Sequence, residues 1–373
     1  MRIGFIEDTP LHGGTQIWVA EALRYFLARG EDATLLCPED SWMASQCAGT
    51  GARLTTYNRD AIVQQDAYHQ TLWTEALRDC DVALCTVHPP REDFHCAAFA
   101  GRCIQEAKLK THLISKTGTI VPAYRREFYL PDDRIASSVI AIANFTRKYL
   151  IENYRLPPEK VALIYQGTDI HRFQSTAATR VEALKRYPLP PQASPVLGCI
   201  GSFEDRKGQA VLFQAVSQLA ASAYPNIHLL LVGDGPDEAK LRTLVEAMGL
   251  ERHISFFPFT SEPEYFFERV DITALPSLYK EGLPNVLLES MAMKTPVIAS
   301  DLGGVSEAVL AGETGFVVPT GDSEALAQAI HKLWADGPAH QEMRRRSRRL
   351  MEEKFDKSIQ FARFWEYFKL ALR

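Results

Sequence analysis

Short, uninterrupted apolar runs alternate with amphipathic stretches along the whole chain. Arg2–Ile6, Ala33–Leu36, Val82–Cys85, His112–Ile114 and Val139–Ile142 read as buried strands. Gln16–Ala28, Thr71–Arg78, Phe94–Ala107 and Phe145–Asn153 read as helices between them. The second half repeats the pattern more clearly, with strands at Val196–Ile200, His228–Val232, Ile254–Phe257, Ile272–Leu275, Val297–Ala299 and Gly315–Val318. Its helices read as Gln209–Ala221, Glu238–Met248, Asn285–Met293 and Ser323–Ala335. A strand that is apolar on both faces must be covered on both, and the intervening helices supply the cover. The pattern therefore specifies an α/β chain with parallel sheets. At 373 residues it is too long for one ordinary core, so two domains of similar size are expected.

The first domain is expected over 1–173 and the second over 195–354. The stretch 174–194 reads as the connector, because Ser175 to Thr179 is small and polar and Pro188, Pro190 and Pro191 follow. The segment 355–373 carries Phe355, Phe361, Phe364, Trp365, Tyr367 and Phe368 at helical spacing, so it should pack against another element. Just before it, Arg344-Arg345-Arg346-Ser347-Arg348-Arg349 reads as a solvated helix face, with anionic lipid or an acidic acceptor as the alternative partner.

The formal net charge of −5 gives no reason to expect nucleic acid as a partner. The seven cysteines form no Cys-x-x-Cys pair and are odd in number, which fits buried reduced thiols in a cytoplasmic protein and no metal site. Glu7 and Asp8 follow the first apolar run at once, leaving no signal-peptide core. No run approaches the roughly 20 apolar residues of a membrane span.

The chemistry concentrates in loops that follow strands. Leu275-Pro-Ser-Leu-Tyr-Lys-Glu281-Gly-Leu-Pro-Asn-Val-Leu-Leu-Glu289 runs from a strand through a loop into a helix, with Pro284 expected at the first helical position. The backbone N–H groups across Gly282, Leu283, Pro284 and Asn285, proline excepted, would then be unpaired and exposed, a natural anion site. Glu289 sits on a mostly apolar helix and calls for a partner such as a sugar or ribose hydroxyl. Gly201-Ser202-Phe203-Glu204-Asp205-Arg206-Lys207-Gly208 also joins a strand to a helix. Its backbone donors and two cations suit a diphosphate without metal. Gly233-Asp234-Gly235-Pro236 and Gly303-Gly304 follow further strands. Together these four loops mark the ligand crevice of a parallel sheet.

Gly201…Lys207-Gly208, Leu231-Val-Gly-Asp-Gly-Pro, Glu281-x7-Glu289, Thr295-Pro-Val-Ile-Ala-Ser-Asp-Leu-Gly-Gly-Val-Ser-Glu and Thr314-Gly-Phe-Val-Val-Pro occur in this order from about Val196 to Ala335. In order and spacing they resemble the retaining family-4 glycosyltransferases of the GT-B fold. Ile164-Tyr-Gln-Gly-Thr-Asp169 with Phe173 resembles the family's Asn-Gly-Val-Asp…Phe segment, with Gln166 and Thr168 as departures. The resemblance implies two Rossmann-like domains facing across a cleft, acceptor domain first, with the C-terminal helix packing back on the N-terminal domain. It implies that Lys207 meets the donor's diphosphate, Glu289 the ribose hydroxyls and Glu281 the transferred sugar. The Gly282–Asn285 backbone would hold sugar and phosphate, and Gly233 and the segment from Ile254 to Phe259, Phe257 included, would line the base pocket. Gly13 and Gly14 match the family's Gly-Gly loop, and His88 lies where many relatives carry an active-site histidine. Relatives commonly have Arg where this chain has Ser202, and Arg206 would supply that charge.

The reaction so implied is metal-independent transfer of a sugar from a nucleoside diphosphate to an acceptor hydroxyl, with retention. No cofactor beyond the donor is needed. UDP-sugar is favoured over GDP-sugar because relatives use it more often. The acceptor is a glycan, a lipid or a small metabolite, and peripheral contact with the inner face of the membrane is an added expectation. Three rivals stand beside this reading. A dehydrogenase lacks a clean Gly-x-Gly-x-x-Gly after the first strand of either domain. A non-catalytic sugar-nucleotide subunit would not need Lys207, Glu281 and Glu289 together. A phosphorylase or epimerase on a similar fold would be separated by its products.

Overall fold

The computed structural model describes residues 1–10, 12–118 and 125–373. It divides into two compact units. Unit 1 comprises Met1–Tyr165 with Gln360–Arg373, and unit 2 comprises Gln166–Ile359.

Among the described residues, unit 1 is built on seven parallel strands: β1 Arg2–Ile6, β2 Asp32–Pro38, β3 Arg53–Tyr57, β4 Val82–Thr86, β5 His112–Lys116, β6 Ser137–Ala141 and β7 Val161–Leu163. Their spatial order is β3-β2-β1-β4-β5-β6-β7, so the winding reverses between β1 and β4. The central strands are buried on both faces, which is why they read as unbroken apolar runs. The edge strand β3, Arg-Leu-Thr-Thr-Tyr, is half exposed and carries no such run, and β7 is three residues long. Neither is legible as a buried strand.

The C-terminal helix Lys357–Ala371 closes the core of unit 1. Phe361, Phe364 and Phe368 are buried among Trp18, Phe26 and Leu23. The Trp18 ring lies 5.0 Å from that of Phe364, and its Nε1 donates to Gln360 Oε1 at 2.9 Å. The helix pattern predicted from aromatic spacing is thus a core-covering face.

Unit 2 is built, among the described residues, on six parallel strands: β8 Val196–Ile200, β9 His228–Val232, β10 Ile254–Phe257, β11 Ile272–Leu275, β12 Val297–Ser300 and β13 Gly315–Val318. The order is β10-β9-β8-β11-β12-β13, with the reversal between β8 and β11. Both units therefore have the doubly wound, Rossmann-like arrangement.

The connector expected over 174–194 lies wholly inside unit 2. It contains the helix Ala177–Arg186, opened by a capping box between Thr176 and Thr179. Arg186 pairs with Glu262 at 2.6 Å and Arg172 with Glu264 at 2.9 Å. The first pair ties the stretch to the cap of the helix Pro263–Phe267, and the second ties the residues just before the stretch to that helix. The proline cluster ends a helix and leads into β8, while the chain changes units after Tyr165 and again after Ile359. The basic run from Arg344 lies on the helix Gly337–Leu350. Arg345 and Arg346 share Glu342, and the Arg348 guanidinium donates to the carbonyls of Ile170, Phe173 and Ala292.

Candidate functional site

In unit 2 the loops after β8 and β11 meet at the winding reversal. Gly208, at φ +66°, ends the first loop and opens the helix Gln209–Ala221. A Cβ there would stand 2.0 Å from the Pro276 carbonyl oxygen, so glycine is what lets the two loops touch. Leu278 N donates to Arg206 O at 2.7 Å and locks their register.

The side chains converge on one carboxylate. Lys207 Nζ lies 2.6 Å from Glu281 Oε1, the Ser277 hydroxyl donates to the same oxygen at 2.8 Å, and Arg206 Nη1 stands at 3.7 Å. Glu281 is 9% exposed. Arg206 also pairs with Glu204 at 2.8 Å, so the cation expected to compensate for Ser202 is shared between two carboxylates. The Ser202 hydroxyl and Arg206 together hold the Glu204 carboxyl below its usual range.

The surrounding loops tie to this pair. Gly304 N donates to Gly282 O at 2.7 Å, and Gly303 at φ +64° passes the Glu281 carbonyl where a Cβ would sit at 2.3 Å. The helix Asn285–Ala292 begins at the residue expected, while Pro284 occupies its N-cap, one position before the first helical residue where it was expected. Gly282 and Leu283 are buried, and Pro284 and Asn285 half-buried. This corrects the expectation of an exposed turn, because the loop after β12 covers it. The amides of Gly282 and Leu283 still donate to no acceptor among the described residues. Glu289 is half-buried on that helix. On the other side of β8, Gly201 N donates to Val232 O and Gly233 N to Phe257 O, so Ser202 and Gly233 lie just beyond the ends of β8 and β9, and Phe257 is the last residue of the neighbouring β10. The half-buried Phe257 ring packs edge-on against Tyr187 at 5.0 Å.

Unit 1 has its own cluster at the reversal between β1 and β4. Gly13 caps the helix Gly14–Ala28, which follows β1. Glu7, directly after β1, is wholly buried. His88 Nε2 pairs with its Oε1, Gln16 Nε2 donates to that oxygen at 3.1 Å, and the Thr86 hydroxyl donates to Oε2 at 2.6 Å. Burial disfavours the charged His88 ring, but the Glu7 carboxylate outweighs it and raises the imidazole above its ordinary value. Sequence reading singled out His88 and missed Glu7. Its signal was the acidic pair that follows an apolar strand without a turn. Among the described residues no group of three or more His, Cys, Asp or Glu side chains is arranged to hold a metal ion.

Two family models match the chain. The model described as Glycosyltransferase Family 4 matches residues 12–172, and the one described as Glycosyl transferases group 1 matches 181–350. The chain belongs to the group 1, family 4 glycosyltransferases. It is similar to an alpha-D-kanosaminyltransferase of Streptomyces kanamyceticus, 29% identical over 214 residues, covering 56% of this chain and 54% of the relative. A GDP-mannose-dependent alpha-(1-6)-phosphatidylinositol monomannoside mannosyltransferase of Mycolicibacterium smegmatis is 31% identical over 210 residues, covering 54% of each. The chain thus spans about half the length of the curated relatives it matches. The crystal structure of HepE from Anabaena in complex with UDP has a TM-score of 0.86 at 19% identity, covering 99% of this chain and 100% of that one. That likeness shows the GT-B fold. No described helix is long and apolar enough to cross a membrane.

Proposed function

We propose that this protein is a retaining glycosyltransferase that moves a sugar from a nucleoside diphosphate to an acceptor hydroxyl. The Lys207–Glu281 pair at the winding reversal of unit 2 carries the reading, because it sets a cation and a carboxylate beside the undonated amides of Gly282 and Leu283. Lys207 and Arg206 meet the diphosphate and stabilise its charge as the bond to the anomeric carbon breaks, without metal. Glu281 orients the sugar, Glu289 holds the ribose hydroxyls, and Gly233 and Phe257 line the base pocket. The acceptor oxygen attacks the face from which the phosphate leaves, and the leaving phosphate oxygen takes its proton. His88, Gly13 and Gly14 serve from unit 1 by positioning substrate.

UDP is the first choice of donor base, supported by the UDP complex of the Anabaena neighbour, and GDP the second, supported by the mycobacterial relative. The acceptor is a glycan, a lipid or a small metabolite, reached in the cytoplasm or at the inner face of the membrane. The test is the thermal midpoint of the purified protein with UDP, GDP, ADP, TDP and CMP, each with EDTA and again with magnesium. A ligand that binds only the folded state raises the midpoint with concentration. UDP is expected to do so in EDTA. A midpoint that no diphosphate moves counts against a donor site, and one that moves only with magnesium counts against the cation-lined diphosphate.

A further inference from the structure

Lys116 ends β5, beside β4 at the winding reversal of unit 1, and is 4% exposed. Its ammonium stands 4.2 Å from the centroid of the Trp18 ring. Among the described residues it has no hydrogen-bond acceptor and no carboxylate within 4 Å. The anion that acts on it, Glu7, is already committed to His88, Gln16 and Thr86 through both of its oxygens. Burial pulls the Lys116 amine down to about 8, with Glu7 opposing from a distance.

A largely buried lysine whose ammonium touches no carboxylate costs free energy, and a chain that keeps one at the carboxyl end of a central parallel strand keeps it where ligands bind. Unit 2 supplies two cations of its own for a donor diphosphate, Lys207 and Arg206. The charge in unit 1 is left for a second substrate. We propose that the β1–β4–β5 end of unit 1 binds an anionic acceptor, one bearing a phosphate or carboxylate, with Lys116 as the counter-charge and the His88 imidazole beside it. That the anion belongs to an acceptor rests on the glycosyl-transfer reading. The anion site itself rests on the cluster alone.

The experiment compares the full chain with Lys116→Met. Methionine keeps an unbranched stem and a favourable contact with the Trp18 ring. Thermal midpoints are read with glucose 6-phosphate, glucuronate and neutral glucose, each with and without UDP. At least one anionic probe is expected to stabilise the natural protein more than glucose does, and its affinity to fall by about tenfold or more in the variant, as loss of a charge-assisted contact implies. Without ligand the variant should melt no lower than the natural protein, because an unpaired buried charge has gone. Equal shifts in both proteins, no difference between the anionic probes and glucose, or a ligand-free variant that melts several degrees lower would each overturn the proposal. UDP that stabilises neither protein removes the donor reading and leaves the comparison at Lys116 readable. UDP that loses its effect in the variant while the anionic probes are inert assigns the cation to the donor and overturns the acceptor site.

Discussion

Replacing Lys207 by alanine strands Glu281. Removing one partner of a buried ion pair costs about 3–5 kcal/mol when nothing else meets the remaining charge. Here the Ser277 hydroxyl stays at 2.8 Å and Arg206 at 3.7 Å from the same oxygen, and the Lys207 side chain is 15% exposed. The expected cost of Lys207→Ala is therefore about 1–3 kcal/mol, the lower part of that range discounted for solvent and the remaining partners. Glu281→Gln in the same chain removes the stranded charge and should recover at least about 1 kcal/mol, the coupling expected of residues in direct contact. Trp334 is the tryptophan of unit 2, with Trp18, Trp42, Trp73 and Trp365 in unit 1. Urea unfolding followed by fluorine resonance of 5-fluorotryptophan then reports unit 2 separately. Costs of the two substitutions that add to within about 0.5 kcal/mol would refute the coupling, and with it the idea that this pair organises the loop ends. Turnover by Lys207→Ala should fall on the order of 10²-fold or more, as loss of a charge contact in the transition state does.

Two further outcomes follow from the same loops and from unit 1. Gly208→Ala places a Cβ 2.0 Å from the Pro276 carbonyl at φ +66°. It should cost about 2 kcal/mol or more, read in the same unfolding assay, and a variant as stable as the parent would mean that the loops part freely. Glu7→Gln should lower the His88 titration, followed by the imidazole carbon and proton resonances. Because His88 is raised above its ordinary 6.5, its pair with Glu7 contributes fully below that value. The contribution is lost as pH rises through the raised value, and the variant should lack that loss of stability. An unmoved His88 titration would show that another group holds its proton.

The strands of unit 2 were legible almost to the residue because they are short, largely apolar runs closed off by glycine or proline, Gly201 and Gly233 after β8 and β9 and Pro258, Pro276 and Pro319 after β10, β11 and β13. The same punctuation exposed Lys207, Glu281 and Gly233. What the sequence hid was polar, short or covered. β3 lies at an edge and tolerates Arg53 and Thr55, so it lacks a buried strand's signature. The helix Ala177–Arg186 buries little beyond Ala183, and its proline-rich exit looked like a boundary. Glu7 and Lys116 sit at the ends of apolar strands, where a charge reads as the start of solvent. Only the fold shows that these ends meet at a winding reversal and stay buried.

The aromatic helix that completes unit 1 also sets the order in which the chain can mature. Trp18 waits for Gln360, 342 positions later, and Phe26 waits for Phe361 and Phe368. On the ribosome, all of 166–359 must be made between the two parts of that core. Unit 2, continuous in sequence, can finish folding while the first 165 residues still expose an apolar patch. The nascent chain is therefore most open to aggregation, and most in need of a chaperone's cover, during the synthesis of a unit that is not the one at risk.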